Sequence, residues 1–166
     1  MSESLLLERA LGMRPAAVRL VEVAAFNVPR DDVESLGLPS RPGAVSREDG
    51  GSCTLYFAPG RWLLVAPSPV SETRVLAASE WGSWVDVTGK WVAMALQGEA
   101  AEWMLASTVD LETTLRNRDC AAVTLFDCPS ILVREAQGFV VWVRASVADA
   151  WVSAVERLGV NGPRTV

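Results

Sequence analysis

Runs of alternating and clustered apolar residues, punctuated by turn chemistry, place most of the elements along this chain. Thr54–Ala58 and Arg61–Ala66 flank Pro59-Gly60. Proline presets φ at the first central position of a turn and glycine accepts positive φ at the second, so these runs predict a hairpin. Trp84–Val87 and Trp91–Leu96 around Thr88-Gly89-Lys90 read as a second hairpin. Ala122–Phe126 and Ile131–Arg134, joined through Asp127-Cys128-Pro129-Ser130, read as a third. Gly138 then opens a strand over Phe139–Arg144, in which Phe139, Val141 and Val143 share one side and Val140, Trp142 and Arg144 the other. An earlier strand is expected within Val18–Val28, which is dense in Val, Leu and Phe.

Helical spacing is clearest after Arg144. Val147, Ala150, Trp151, Ala154, Val155 and Leu158 fall on one face, with Asp149, Ser153, Glu156 and Arg157 opposite. Ser146 and Asp149 form a capping-box pattern at its start, and Gly159 supplies a stop. A second helix is expected over Glu99–Ala106, with Trp103 and Met104 inward and Glu99 and Glu102 in the first turn, where the helix dipole favours negative charge. A shorter one should follow Ser71 and cover Thr73–Ala78, and Pro29–Leu38 has room for another turn or two. Ser40–Gly51 reads as a loop, with Pro42, Gly43, Gly50 and Gly51 around Arg47-Glu48-Asp49. The strand Arg61–Ala66 leads to a serine-started helix, and so does Phe139–Arg144, an internal echo that either duplication or chance would produce. Together these elements predict one α+β domain over residues 1–166, an antiparallel sheet of hairpins with helices packed on one face.

Composition narrows the chemistry. With 166 residues, 50% of them hydrophobic and 21% charged, the chain buries a core without staples. Its formal charge is −5, and Lys90 is the single lysine among fifteen basic residues. That balance argues against nucleic-acid binding, which needs a basic face. The histidine count is zero, which removes Ser-His and Cys-His nucleophile pairs and imidazole metal ligands. Cys53, Cys120 and Cys128 are too few and too widely spaced for a structural zinc or iron–sulfur site. Met1–Arg9 lacks the basic region and the apolar run of a secretion signal, and no stretch is long enough to span a bilayer. A cytoplasmic location with reduced thiols and no membrane partner is the expectation.

Each chemistry-bearing candidate has a structural explanation beside it. Lys90 sits at an expected hairpin tip, wet where an activated lysine needs a dry pocket. Asp86 alternates with Val85 and Val87 and so faces water, Asp110 follows a helix end, and Asp127 opens a turn. Cys120 follows Arg116 and Arg118, whose charges lower a thiol pKa, but its place before a strand reads as a small buried hydrophobe. Gly50-Gly51 lacks the lysine and hydroxyl of a phosphate loop. No residue is assigned a catalytic, cofactor-binding or metal-binding role. Seven tryptophans remain, Trp62, Trp81, Trp84, Trp91, Trp103, Trp142 and Trp151. Both faces of Trp91–Leu96 and Phe139–Arg144 carry large apolar groups, so both are buried inside the chain or one is covered by another protein.

The order of these segments resembles a known family. Trp84-Val85-Asp86-Val87-Thr88, a second strand reaching Leu96-Gln97-Gly98, the helix containing Ala101-Glu102-Trp103-Met104-Leu105, and Asp110-Leu111 resemble the folate-binding aminomethyltransferase-type fold, a ferredoxin-like-derived architecture. Within that superfamily, Ala58-Pro59-Gly60-Arg61-Trp62-Leu63-Leu64, Cys120–Leu125, Ile131–Arg134 and Phe139–Arg144 before the Ser146 helix are most similar to the gamma subunit of heterotetrameric sarcosine oxidase. The resemblance covers about Thr54 to Leu158, and the residues before Thr54 match poorly. The K-G-C-Y-x-G-Q motif of the iron–sulfur-repair branch is absent.

The resemblance implies a complex of alpha, beta, gamma and delta subunits that oxidatively demethylates sarcosine to glycine and passes the one-carbon unit to tetrahydrofolate. It implies FAD, FMN, NAD, tetrahydrofolate and zinc in the partner chains and no cofactor in this one. A stand-alone folate-binding or folate-dependent aminomethyltransferase-like protein is the alternative, and a homo-oligomeric scaffold a third.

Overall fold

The computed structural model of the chain describes residues 6–8, 19–25, 30–48, 51–77 and 82–160. In chain order the elements are β1 (Leu6–Glu8), β2 (Leu20–Ala25), α1 (Arg30–Ser35), β3 (Val45–Arg47), β4 (Cys53–Ala58), β5 (Arg61–Val65), α2 (Pro69–Ala77), β6 (Gly82–Asp86), β7 (Trp91–Gln97), α3 (Glu99–Ala106), α4 (Leu111–Thr114), β8 (Cys120–Leu125), β9 (Cys128–Glu135), β10 (Gly138–Arg144) and α5 (Ala148–Val160). Of the expected segments, Val18, Phe26–Pro29, Asp49-Gly50, Ala78 and Trp81 lie outside the described residues.

The fold is α+β, and its antiparallel strands form two five-stranded sheets rather than one. One sheet runs β3-β4-β5-β2-β6 and the other β1-β7-β10-β9-β8. The sheets pack face to face, and each carries helices on its outer side, giving an α–β–β–α stack. Strand alternation sets this up. On β2, Val21 and Val23 point to the helix side, where Trp62, Leu64 and Tyr56 meet Val33 and Leu38 near α1 and Val75 of α2. Leu20 points inward, where Leu55, Leu63 and Val65 meet Trp91, Ile131, Val133 and Trp142 of the other sheet. On the far side Met94, Leu96, Leu132, Val141 and Val143 are covered by Met104 and Leu105 of α3 and Trp151 and Val155 of α5. Trp91 and Trp142 are therefore sheet-to-sheet filling, and the apolar faces of β7 and β10 are both covered within this chain.

The internal echo extends to topology. A strand, a helix, a three-strand meander and a helix (β2, α1, β3–β5, α2) recur as β7, α3 and α4, β8–β10, α5. In both sheets the last strand of the meander pairs with the first strand of the unit. Gly60 and Gly138 enter β5 and β10 at positive φ, +67° and +137°. A Cβ there would lie 2.4 Å from the Ala25 carbonyl oxygen and 2.3 Å from that of Leu96, so only glycine fits at either entry.

Several boundaries differ from the sequence reading. The first hairpin forms with a bulge between Tyr56 and Ala58. The second does not: β6 pairs with β2 and β7 with β10, so Val87–Lys90 carries the chain from one sheet to the other. Val87 N–H bonds the Leu20 carbonyl at 2.9 Å and Lys90 N–H the Val87 carbonyl at 2.9 Å, which fixes this crossing. The third hairpin turns on two residues, Phe126 and Asp127, both at positive φ as tight hairpins require. Cys128–Ser130 belongs to β9, and Pro129 is tolerated because it lies beyond the end of the β10 pairing. The expected loop Ser40–Gly51 contains β3, paired to β4. Ser146 falls in a 3-10 turn, Ala145–Val147, ahead of α5, and Gly159 lies within the last turn of that helix. Trp103 is 39% exposed whereas Met104 is buried, since neighbouring helix positions diverge by about 100°.

Candidate functional site

The most concentrated polar feature lies where the two sheets meet. Glu22 interrupts the apolar run of β2, and by alternation its side chain shares the inward face of Leu20. Its carboxylate is 9% exposed. Arg61, first residue of β5, bonds Oε1 through Nη2, and the Lys90 Nζ lies 3.0 Å from Oε2. Each carboxylate oxygen thus holds one cation. A third cation stands beside them: Arg144 ends β10 opposite Trp91, with its Cζ 4.7 Å from the Trp91 ring centroid. The Ala145 N–H bonds the Lys90 carbonyl at 2.9 Å, which ties the crossing segment to the end of β10. Arg61 lies over Phe57 at 5.5 Å from that ring. The cluster carries three positive charges against one negative. Burial, then the charges of Arg144 and Arg61, hold the Lys90 ammonium below its ordinary pKa, against the pull of Glu22.

Lys90 is therefore not the wet hairpin tip that its Thr88-Gly89 neighbours suggested. It is partly buried, on a segment between sheets, in an ion pair with a nearly enclosed acid. Glu22 was missed by the motif reading. The available signal was its isolation, one charge within Leu20-Val21-Glu22-Val23-Ala24, since a lone acid in a buried strand demands a partner.

The aspartates do not form a working set, because each serves its own turn or cap. Asp86 Oδ1 accepts the Thr88 N–H at 2.9 Å, and those Thr88 hydrogen bonds lower its pKa. Asp110 caps α4, accepting Thr113 N–H at 3.0 Å and the Thr113 hydroxyl at 2.7 Å, which lowers its pKa in the same way. Asp127 is an exposed turn residue. Cys120 is fully buried, with its thiol 3.7 Å from the Ala44 carbonyl, and burial pushes its pKa up to about 12. Burial also raises Cys53. Among the described residues no three His, Cys, Asp or Glu side chains gather as metal ligands, and no helix is long and apolar enough to cross a membrane.

No family model and no curated protein matches this chain. Among solved structures, a chain of the heterotetrameric sarcosine oxidase from Corynebacterium sp. U-96, in complex with pyrrole 2-carboxylate, superposes with a TM-score of 0.75 at 21% identity. The match spans 98% of this chain and 87% of that one. The regulatory subunit of aspartate kinase from Thermus thermophilus reaches a TM-score of 0.43 at 9% identity, which is too remote to bear on function. At the first level of similarity the shared property is the fold, and this chain is built like a sarcosine oxidase subunit.

Proposed function

We propose that this chain is an accessory subunit of a sarcosine oxidase-type flavoenzyme complex, the counterpart of the gamma subunit. The complex would demethylate sarcosine, or another N-methyl amino acid, oxidatively and hand the one-carbon unit to tetrahydrofolate. FAD, FMN, NAD, tetrahydrofolate and zinc belong in this reading to alpha, beta and delta partners, while this chain supplies no catalytic group. The observation that supports it most is the end-to-end structural likeness, 98% of one chain against 87% of the other, which is a match between chains of similar length. The order of short motifs from Thr54 to Leu158 points the same way. The sheet faces are spent on the chain's own core, so docking in this reading uses the outer helices and strand edges, where Trp103 supplies an exposed aromatic anchor.

Co-expression with candidate alpha and beta chains tests the proposal. A stable co-purifying complex with sarcosine oxidase activity is the expected result. The isolated chain should gain no thermal stability from tetrahydrofolate, whereas a ligand at a hundred times its dissociation constant adds about 2.7 kcal/mol. Tetrahydrofolate stabilisation without any partner affinity would replace this reading with a stand-alone folate-binding protein.

A further inference from the structure

We propose that the cationic cluster at the sheet seam, Arg144 with Lys90 and Arg61, is a binding site for a small oxyanion of the carboxylate or phosphate class. Glu22 has two oxygens, and Arg61 and Lys90 occupy one each. Arg144 is surplus to that arrangement. It is placed by its pairing with Trp91 and by its Cζ lying 4.7 Å from that ring's centroid, and among the described residues no hydrogen bond or ion pair engages its N–H donors. Arg61 is held over Phe57 in the same manner, so both guanidinium groups are preorganised by an aromatic ring before any ligand arrives. Lys90 and Arg61 keep 36% and 47% of their side chains exposed, so the cluster opens to solvent while its counter-charge lies beneath it. Arg144 and Arg61 both repel the Lys90 ammonium. An incoming oxyanion offers each a new charge-assisted hydrogen bond and removes that repulsion. A planar carboxylate or a phosphate suits the fork of an arginine, and Lys90, the residue before the Trp91 that pairs with Arg144, is the neighbouring cation. This inference is independent of the subunit reading and stands or falls on the isolated chain.

Lys90 is the only lysine, which makes it a built-in reporter. Reductive 13C-methylation of the full chain gives one lysine side-chain NMR signal, distinct from the α-amine. Inorganic phosphate and succinate are titrated separately, with sodium chloride at matched ionic strength as the screening control. The expected result is a saturable shift of the Lys90 signal with at least one of the two anions, together with a rise in its titration midpoint. Arg144→Gln should weaken that binding about tenfold or more, the loss of one charge-assisted hydrogen bond. Arg144→Lys should restore part of it, and Arg116→Gln, on an exposed side chain next to α4, should leave it unchanged. A shift that matches the chloride control, or one that persists undiminished in Arg144→Gln, would overturn the proposal. Saturation by phosphate alone or by succinate alone supports it and identifies which oxyanion the site takes.

Discussion

Lys90 and Glu22 stand 68 positions apart in the chain, yet their side chains meet at 3.0 Å, joining the segment that crosses between the sheets to the middle of β2. The same two segments are joined where Val87 N–H donates to the Leu20 carbonyl and Leu20 N–H to the Thr88 hydroxyl. An acid this enclosed persists only because both of its oxygens are satisfied.

Removing that acid should cost more than removing either cation. Glu22→Ala leaves Arg61, Lys90 and Arg144 facing one another with no counter-charge. A fully buried pair broken in this way loses about 3–5 kcal/mol, and roughly 2 is expected here because both cations reach water. Urea denaturation of the variant, read with an unchanged m-value, measures it.

Lys90 also fixes the sign of a pH dependence. Its folded pKa lies below the ordinary 10.5, so within that window the unfolded chain binds more protons than the folded one. Stability from this group therefore rises with pH from the shifted value up to 10.5, and below the window its cost is constant. The difference in melting temperature between the wild-type protein and Lys90→Met should drift in favour of wild type across that range. A flat or falling difference would contradict the assignment.

Adjacent residues on α3 should behave differently. Met104 is 1% exposed beneath α5, and Met104→Ala should cost about 2–5 kcal/mol. Trp103 is 39% exposed, and Trp103→Ala should cost the isolated chain less, about 1–2 kcal/mol. If the chain docks through α3, the same Trp103→Ala substitution should weaken partner binding, separating an interface role from a core role.

Thiol labelling offers a fourth check. With a pKa of about 12 and no exposure, Cys120 should resist iodoacetamide in the native protein at mildly alkaline pH and react on unfolding in urea. Mass-spectrometric mapping of the modified cysteine reads this directly. Native labelling of Cys120 would show that the β4–β8 side of the core opens.

Local chemistry was legible wherever one stretch of sequence decides the structure. Pro59-Gly60 forces its turn, and the spacing of Trp151, Val155 and Leu158 forces the buried face of α5. What escaped was long-range choice. Val87-Thr88-Gly89-Lys90 has hairpin composition, yet the flanking strands pair with partners far away, because Val87 and Trp91 gain more by filling the inter-sheet layer than by lying beside each other. That choice also converts Lys90 from a surface residue into part of a charged cluster, so the pairing of the strands and the position of this side chain are decided together. Glu22 was legible only as an anomaly, since nothing local reveals that its partners come from β5 and from the crossing. The doubly apolar faces of β7 and β10 leave open, in sequence alone, whether the chain or another protein covers them; the other sheet covers the inner face and α3 and α5 the outer one.

The border of the second sheet is supplied from an unexpected direction. Beside β2 the outermost strand is β6, which follows it in the chain, whereas beside β7 that place is taken by β1, the first of the described elements. The halves are thus clasped by a borrowed ribbon. A fragment starting after Glu8 would present the β7 backbone as a row of unmet amides and carbonyls, an invitation to stick to its own copies. Trimming the amino terminus to tidy this protein would trade a three-residue border for the longer bare margin of β7.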